Sequence, residues 1–466
     1  MHEACHRYLL PIGGTATAAL AGLLHEAGDR VSGVDSALYP PTSELLAELG
    51  IPVRVGFDPS AIPDDVDEVI IGNALPRTNV EIEAVLARGL PYTSQAQALG
   101  ERFCRPARTV VVAGTHGKTT TTALTTHIFT VGGLDPTALI GGVPVGGKPW
   151  RLGGGALAVV EGDEYNTAFF DKGPKFLHYY PWIFLVGNVE FDHGDIYPDL
   201  DAIVAAFRAG TAQVGSTGFV VANLGDPGAC TVAGDHPRTV WYGLTGDANL
   251  SCARWAHTQG RLSASLCWEG QTFEVCVPLV GRHNLDNLLA ATTCALIAGL
   301  QPETIARAAA SFPGVRRRLE IVGEMAEVTV VDDFAHHPTA VGLTLGGARE
   351  RFPGRRLVVV FEPRSLTAGR NSFAAAYVEA LAHADVALIA PVFHRARLGP
   401  EAALDREAVV AALARRGVEA AALPDAGDLV AEVLSRLRPG DVAVCMSSGD
   451  FGGLPRKLLG ALKEAP

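Results

Sequence analysis

The sequence lacks the marks of a membrane-bound or secreted protein. No apolar run reaches the about 18 residues that a membrane-spanning helix needs. The first fifteen residues hold two histidines and an acidic residue, with no basic stretch leading into a long apolar one. The eight cysteines form no C-x-x-C pair, so a zinc ribbon is not indicated. We expect a cytoplasmic protein with buried free thiols, although the even cysteine count leaves disulfides open.

Positive charge is also scarce. Lys and Arg number 38 against 50 Asp and Glu, and the net charge is -12. An acidic chain of this kind has no electrostatic footprint for nucleic acid or an anionic membrane, and we expect it to bind neither. An anionic substrate must therefore be held by a local positive pocket.

The order of the apolar runs indicates an α/β fold in three segments. Short β-branched runs alternate with Ala- and Leu-rich helical stretches in the first and last segments, whereas residues 216–280 predict several short antiparallel strands. At about 100–200 residues per domain, the chain suggests two to four domains. We place the divisions at 1–105, 106–314 and 315–466, with a hinge at Pro313-Gly314.

The first segment opens like a nucleotide-binding fold. A predicted strand leads into Pro11-Ile-Gly-Gly, and Asp35 follows the second strand, where such folds bind a ribose hydroxyl. The full G-x-G-x-x-G pattern is absent, so Gly13 and Gly14 fit a plain tight turn equally well. Asp35 also fits a helix N-cap.

The strongest chemical signal lies in the middle segment. The β-branched run from Arg108 to Ala113 precedes Gly114-Thr-His-Gly-Lys-Thr119. Glycines let backbone N–H groups approach phosphate oxygens, and a following helix directs its positive end at the anion. The lysine would bridge the outer phosphates of ATP, and the Thr119 hydroxyl would bind the accompanying Mg²⁺. The strict G-x-x-x-x-G-K-[ST] form fails at Val112, which leaves a chance Gly-rich turn as the alternative.

Acidic residues follow a second apolar run of this segment. Glu161 comes directly after the run from Ala156 to Val160, and Asp163 and Glu164 follow it. Carboxylate oxygens beside a phosphate loop suit Mg²⁺. The alternative for Glu161 is a solvated loop acid.

Six motifs in fixed order resemble the Mur ligase family, the ATP-dependent amide-bond formers of cell-wall peptide synthesis. They are GTHGKTTTT from Gly114, VEGDEYN from Val160, GNVEFDH from Gly187, GRHNLDN from Gly281, GVRRRLE from Gly314 and VDDFAHHP from Val331. The resemblance covers nearly the whole chain. It implies a Rossmann-like first domain for a UDP-sugar, a central P-loop ATPase domain, and a Rossmann-like last domain that binds the incoming peptide and closes over the site.

The resemblance also implies roles for single residues. ATP would contact Gly114, Thr115, His116, Gly117, Lys118, Thr119, Thr120, His283, Asn284, Asn287, Arg317 and Asp332. Mg²⁺ would be bound by Thr119 and Glu161, and His193 would complete a second magnesium site. The catalytic residues would be Lys118, His193 and His337. The substrates would contact Gly13, Gly14, Asp35, Asn73, Glu164, Tyr165, Asn166, His336, Arg364 and Ser365. Which of the adjacent Arg316, Arg317 and Arg318 reaches phosphate stays open.

Two branches of the family start from UDP-N-acetylmuramate. One adds L-alanine, and the other, in peptidoglycan recycling, adds the tripeptide L-alanyl-γ-D-glutamyl-meso-diaminopimelate. The stretches FEPRS from Phe361, EYNTAFFDK from Glu164 and MSSGDFGG from Met446 resemble the tripeptide branch. Where the alanine branch carries His-Arg-x-x-Arg, this chain has Arg364, Ser365 and Ala368, and arginine forks suit a small amino acid's carboxylate. We expect the tripeptide, with L-alanine as the alternative.

A third possibility lies outside the ligases. A P-loop chain can be a plain ATPase or a nucleotide-gated regulator, and neither needs a UDP-sugar domain or a second metal site. The identity of the third peptide residue (diaminopimelate, lysine or ornithine) and the oligomeric state stay open, with a monomer as one possibility.

Overall fold

Three β-sheets follow one another along the chain in the computed structural model, which describes residues 5–194, 196–234, 236–424 and 428–464. The first sheet is wholly parallel, with strand order β3-β2-β1-β4-β5. Its elements are β1 His6–Leu10, α1 Thr15–Glu26, β2 Arg30–Asp35, α2 Thr42–Glu48, β3 Val53–Val55, β4 Glu68–Ile71, α3 Val80–Ala87, β5 Tyr92–Ser94 and α4 Gln95–Leu99.

The second sheet has ten strands in the order β15-β14-β13-β12-β11-β10-β6-β9-β7-β8. Its elements are β6 Arg108–Ala113, α5 Lys118–Val131, β7 Thr137–Leu139, β8 Trp150–Arg151, β9 Leu157–Gly162, β10 Pro181–Val186, α6 Leu200–Thr211, β11 Phe219–Asn223, α7 Pro227–Ala233, β12 Thr239–Gly243, β13 Leu250–Thr258, β14 Arg261–Trp268, β15 Gln271–Val277, α8 Arg282–Ile297 and α9 Pro302–Ala310.

The antiparallel prediction for residues 216–280 is right for β13 to β15 and wrong for β11 and β12. The latter two pair in parallel and extend the parallel part of the sheet beyond β10. A short helix, α7, links them, which is the crossover that parallel neighbours require. The sequence pattern of Trp, Thr and Gly did not reveal this helix.

The third sheet has the order β16-β17-β21-β18-β19-β20, and all its pairs are parallel except the β16–β17 pair. Its elements are β16 Glu320–Met325, β17 Val328–Asp333, α10 Pro338–Arg351, β18 Leu357–Phe361, α11 Ala374–Leu381, β19 Val386–Ile389, α12 Arg395–Leu398, α13 Arg406–Arg415, β20 Glu419–Ala422, α14 Leu429–Leu434, β21 Val442–Met446 and α15 Leu454–Glu464. The α/β fold class predicted from the sequence is therefore confirmed.

The strand that leads into the phosphate loop, β6, lies in the core of the middle sheet. Val110, Val111 and Val112 of β6 are all buried, as expected for a central parallel strand covered on both faces. Helices α5 and α8 pack on one face, where Leu124 and Leu288 join a single apolar cluster. Burying each such side chain contributes about 1.5–3 kcal/mol.

Cys104, Cys252, Cys294 and Cys445 are buried free thiols, as expected, whereas the free thiols Cys230, Cys267 and Cys276 are partly exposed. Within the described residues, no helix combines the length and the apolar character needed to cross a bilayer.

Candidate active site

Three neighbouring parallel strands bring their carboxyl ends to one edge of the middle sheet. β6 lies between β10 and β9. β6 leads into the phosphate loop (residues 114–117), β9 into Asp163 and Glu164, and β10 into the segment 187–194. In open α/β sheets ligands bind outside the carboxyl ends of the strands, so the fold assembles the predicted motifs at a ligand-binding edge.

The segment after β10 braces the phosphate loop. Asn188 accepts a hydrogen bond from the His116 amide (2.7 Å) and donates its own side-chain N–H to the His116 carbonyl (3.1 Å). Its backbone oxygen accepts from the Thr115 amide at 2.9 Å. Gly114 has φ 140°, and a Cβ there would lie 3.1 Å from the Asn188 backbone. The loop is thus shaped by the protein itself before any nucleotide arrives.

The start of α8 locks the other side of the loop. Gly117 has φ 79°, and a Cβ on it would lie 2.4 Å from the side-chain oxygen of Asn287. That oxygen accepts from the Thr121 hydroxyl at 3.0 Å, while the amide nitrogen of Asn287 donates to Asn284 at 2.9 Å. Gly117 is therefore required both for its left-handed backbone and for the close approach of α8. The predicted Asn284 and Asn287 do lie beside the loop.

Lys118 lies in a buried charged cluster. Its ammonium donates to the carbonyls of Gly114 (2.7 Å) and Thr115 (3.2 Å) and pairs with the Glu164 carboxylate at 2.9 Å. Burial alone would lower the pKa of Lys118, but the charges of Glu164, Asp163 and Glu161 outweigh it and raise the pKa. The lysine is therefore held as a cation at the mouth of the loop.

His193 reaches the same carboxylate from the β10 side. Its Nε2 lies 2.9 Å from the Glu164 Oε1, and the Tyr165 ring packs against the imidazole at 4.1 Å between centroids. Burial lowers the pKa of His193, yet the hydrogen bond to Glu164 and that carboxylate's charge raise it overall. Glu164 is only 2% exposed, so this residue, predicted to contact substrate, serves here as the link between Lys118 and His193.

Two oxygen-bearing side chains that could bind a hard cation, those of Thr119 and Glu161, lie next to Lys118. The Thr119 hydroxyl donates to Glu161 at 3.0 Å, and the Gly141 amide donates to the same carboxylate at 2.8 Å. Burial raises the pKa of Glu161 despite the opposing charge of Lys118. A buried carboxylate next to a hydroxyl suits Mg²⁺, which prefers oxygen ligands, so the residues fit the predicted ion. His193, predicted to complete a second magnesium site, is engaged by Glu164.

An adjacent ion pair fixes the loop after β9. Lys175 lies 2.8 Å from Asp163 and is itself buried. Burial would raise the pKa of Asp163, but Lys175 and Lys118 lower it to about 2. Asn166, predicted to contact substrate, forms an isolated bridge with Pro174 in the same loop.

One arginine of the triplet reaches the start of α5, directly after the phosphate loop. Arg318 donates to the Thr119 hydroxyl at 3.3 Å. Arg317 instead pairs with Asp332 at 3.2 Å and donates to the carbonyls of Ser447 and Gly449. Burial, opposed by Arg317, raises the pKa of Asp332 to about 6. Arg317 as the ATP contact stays a prediction, and the structure offers Arg318 as a second candidate.

Two further histidines of the predicted site have lowered pKa values. His283, the second residue of α8, has its pKa lowered to about 4 by burial and by the charge of Arg318. His336 lies in the loop before α10, where burial lowers its pKa to about 4 and the Phe334 carbonyl accepts from its ring at 3.1 Å. Its neighbour His337 lies near His116 and Glu190. Both His283 and His336 are therefore neutral at pH 7.

The predicted substrate residues of the first unit lie together at the carboxyl edge of its sheet. The Gly13 amide donates to Asp35 at 2.7 Å, and a Cβ on Gly13 would lie 2.8 Å from that carboxylate. Gly14 precedes α1 as its N-cap. Asn73 follows β4 and is exposed.

The loop after β18 carries the predicted peptide contacts. Arg364 lies over the Phe393 ring at 4.1 Å and crosses Gly449, where any side chain would collide with it. Its nearest acids are Glu362 (3.5 Å) and Asp450 (3.8 Å). The Ser365 hydroxyl accepts from the Ala368 amide at 2.9 Å and so closes the turn.

Sequence reasoning missed several residues that the structure places in the site. Asn188 and Glu190 stand inside a motif from which only His193 was chosen, and their signal was their position directly after a buried strand. Lys175 lies beyond the end of the acidic motif, and its pairing with Asp163 depends on a loop that returns to β9. That return has no sequence signal.

Three family profiles match the chain in order. "Mur ligase family, catalytic domain" covers residues 6–105, "Mur ligase middle domain" covers 112–295, and "Mur ligase, glutamate ligase domain" covers 317–449. The chain belongs to the Mur ligase family. This confirms the resemblance drawn from the motifs and the three-domain architecture that it implied.

Relatives of this Mur ligase match over nearly their full length. UDP-N-acetylmuramate–L-alanyl-γ-D-glutamyl-meso-2,6-diaminoheptandioate ligase of Escherichia coli strain K12 is 37% identical, with 98% of each chain covered. UDP-N-acetylmuramate–L-alanine ligase of Roseiflexus is 35% identical, with 98% of this chain and 99% of the relative covered. The crystal structure of a murein peptide ligase from Psychrobacter arcticus superposes with a TM-score of 0.78 at 30% identity, covering 99% of this chain and all of that one.

Proposed function

We propose that this Mur ligase joins the tripeptide L-alanyl-γ-D-glutamyl-meso-diaminopimelate to UDP-N-acetylmuramate at the expense of ATP, in peptidoglycan recycling. The observation that carries the proposal is the charged Lys118 at the phosphate loop, next to the Thr119–Glu161 pair and facing the third unit. An ATP-dependent amide ligase needs this arrangement because its first step moves a phosphoryl group.

The reaction has two steps. A carboxylate oxygen of UDP-N-acetylmuramate attacks the γ-phosphorus of ATP, the bond to the β,γ-bridging oxygen breaks, and ADP leaves. The α-amine of the tripeptide then attacks the acyl carbon, loses a proton, and displaces phosphate as the C–O bond breaks. Phosphorylation is needed because oxide is a poor leaving group.

Each group at the loop has a share in the first step. Lys118 neutralises charge that shifts between the phosphate oxygens, and the backbone amides of the loop and the α5 N-terminus orient them. Thr119 and Glu161 would hold Mg²⁺, which supplies Lewis-acid stabilisation of the phosphoryl oxygens. His193 and His337 as further catalytic residues, and His193 as a ligand of a second magnesium ion, stay predictions.

Sequence identity alone does not decide between the tripeptide and L-alanine as the acceptor. The tripeptide ligase of Escherichia coli is 37% identical to this chain, and the alanine ligase of Roseiflexus is 35% identical. The loop after β18 supports the tripeptide. Arg364 is the single arginine between Glu362 and Gly369, and the Ser365 hydroxyl is used to close its own turn. The small side chains beside Arg364 leave room for a long acceptor. The loop also lacks the second arginine that, with the first, would bind the carboxylate of free alanine.

The deciding experiment offers UDP-N-acetylmuramate and Mg-ATP with either the tripeptide or L-alanine and measures the amide product by mass spectrometry. We expect efficient amide formation with the tripeptide and little with L-alanine. Preference for L-alanine would transfer the assignment to the alanine branch. ATP turnover independent of both substrates would favour a plain ATPase. Exchanging diaminopimelate for lysine or ornithine in the peptide then defines the third residue.

A further inference from the structure

Three side chains from separate parts of the chain meet beside the phosphate loop. His116 belongs to the loop itself, Glu190 follows β10, and His337 directly precedes α10 in the third unit. One nitrogen or oxygen atom from each lies within 4.8 Å of those of the other two. The imidazole rings of the two histidines are 4.9 Å apart. The Thr119–Glu161 pair, by contrast, is formed with β9.

His337 is buried and poorly hydrogen-bonded. It is only 6% exposed, and within the described part of the chain neither ring nitrogen makes a hydrogen bond of good geometry, the Phe191 backbone being the nearest group that acts on the ring. A neutral imidazole carries one donor and one acceptor, and leaving a buried donor unsatisfied costs about 1–3 kcal/mol. Such a group in a native fold indicates a partner that is not part of the chain. Burial and the charge of His116 lower the pKa of His337, which leaves the ring neutral and able to ligate.

The distances approach those of a coordination shell. His116 Nε2 lies 3.3 Å from Glu190 Oε2, and His337 Nδ1 lies 4.0 Å from the same oxygen. A tetrahedral ion with bonds of about 2.0–2.1 Å separates its ligand atoms by about 3.4 Å. His116 and Glu190 therefore already have the required spacing, and His337 would have to move closer to both of them.

The chemistry of the three groups selects the ion. Two imidazoles and a carboxylate suit Zn²⁺, Co²⁺ or Ni²⁺, whereas Mg²⁺ prefers oxygen atoms alone. The hydrogen bond from His116 lowers the pKa of Glu190, so the carboxylate is ionised. Glu190 also accepts from the Thr339 hydroxyl at 2.8 Å, which orients it as metal-bound carboxylates commonly are.

We propose that His116, Glu190 and His337 form a site for a divalent transition-metal ion, separate from the Mg²⁺ site of the ATP reaction. The ion would join the phosphate loop, the segment after β10 and the loop before α10, so its binding would fasten the third unit to the middle one. The competing explanation is a purely hydrogen-bonded cluster in which Thr339 and His116 share Glu190.

A cobalt titration tests the site directly. The full-length protein, freed of metal by a chelator, is titrated with Co²⁺ in the presence of excess Mg²⁺, which occupies oxygen-only sites. We expect one equivalent to bind and to give the visible bands of nitrogen and oxygen coordination. A thiolate charge-transfer band would instead place the ion on the cysteines and overturn the proposal, as would the absence of saturable binding.

Two variants separate a metal site from a hydrogen-bonded cluster. Glu190→Gln keeps an oxygen for Thr339 and His116 but removes the charge, and His337→Asn removes one imidazole at a helix N-cap that asparagine suits. Each should weaken Co²⁺ binding by at least about tenfold, whereas the exposed control His25→Asn should not. Circular dichroism confirms that the variants are folded. Unchanged binding in both site variants would refute the proposal.

Zn²⁺ should also raise the thermal unfolding midpoint of the wild-type protein, since an ion that binds only the folded state stabilises it. The Glu190→Gln variant should lose most of that shift and His25→Asn should keep it. Equal shifts in all three proteins would mean that zinc acts elsewhere, and the assignment to these residues would fail.

Discussion

The phosphate loop is proposed to bind ATP, and the loop after β18 is proposed to bind the acceptor peptide. The two loops differ in the burial and the pairing of their charged side chains. The phosphate loop is held by the segment after β10 and by α8, and Lys118 beside it pairs with the fully buried Glu164. The arginine of the loop after β18, Arg364, is more exposed than Lys118, has a longer ion pair of 3.5 Å with Glu362, and lies on an exposed Phe393. The difference indicates that the chemistry is fixed by the fold, whereas the choice of acceptor depends on a few adjustable side chains.

The largest expected effect is on the phosphate side. Lys118→Ala should lower kcat by about 10²–10³, because it removes a charge positioned where negative charge moves in the transition state. Steady-state kinetics with saturating ATP, UDP-N-acetylmuramate and tripeptide would measure it. Wild-type kcat in this variant would mean that the loop does not perform phosphoryl transfer.

That variant needs a matched control because Glu164 is buried. Removing one partner of a buried pair can cost about 3–5 kcal/mol of stability by leaving the other charge uncompensated. The double variant K118A/E164Q relieves this charge, so it should regain stability but not kcat. Recovery of both would mean that the single variant had lost activity through misfolding.

The arginine triplet provides the next comparison. Arg318→Ala should raise the KM for ATP or lower kcat by about 10–100-fold, the size of a charged hydrogen bond of about 1.5–3 kcal/mol. Arg317→Ala should act mainly on stability, since its partners Asp332, Ser447 and Gly449 all belong to the third unit. Kinetics and urea unfolding of both variants test this. Equal kinetic effects would contradict the division of roles.

The third expected effect is a dependence of the free energy of unfolding on pH that arises from His336, which is predicted to contact the substrate. Burial lowers the pKa of His336 to about 4, against 6.5 in the unfolded chain, so protons bind the unfolded state preferentially between these values. Stability that is full above pH 6.5 should be lost as pH falls towards 4, at about 1.4 kcal/mol per pH unit for this group.

His336→Asn should therefore flatten the curve of unfolding free energy against pH by about 2 kcal/mol between pH 6.5 and 5. The asparagine amide can still donate to the Phe334 carbonyl that now accepts from the ring. Urea unfolding at a series of pH values measures the curve. An unchanged slope would mean that His336 titrates normally.

The comparison also explains which parts could be predicted from the sequence. Gly114, Gly117, Lys118 and Thr119 carry local constraints, a left-handed backbone and a helix start, and these leave a direct trace in residue type and spacing. The strand β6 was predicted with its observed bounds for the same reason, since it is a short β-branched run.

The missed features depend on distant parts of the chain. Glu190 acquires its neighbours His337 and Thr339 only when the middle and third units pack together. Which arginine reaches Thr119 depends on the local backbone conformation. Arg317 has a φ angle of 59°, and its side chain contacts Asp332 instead. The sequence alone does not show which of two adjacent arginines contacts Asp332 and which contacts Thr119.

The smallest expected effect lies at the acceptor end. Arg364→Ala should raise the KM for the tripeptide by about tenfold, because a charged contact to a peptide carboxylate at an exposed site is worth about 1–2 kcal/mol. The KM for ATP should stay unchanged. Arg364→Lys keeps the charge but loses the planar fork and the stacking on Phe393, so it should recover only part of the affinity. If Arg364→Ala instead lowered kcat as strongly as Lys118→Ala, the acceptor loop would take part in the chemistry, and the contrast between a fixed phosphate side and an adjustable acceptor side would fail.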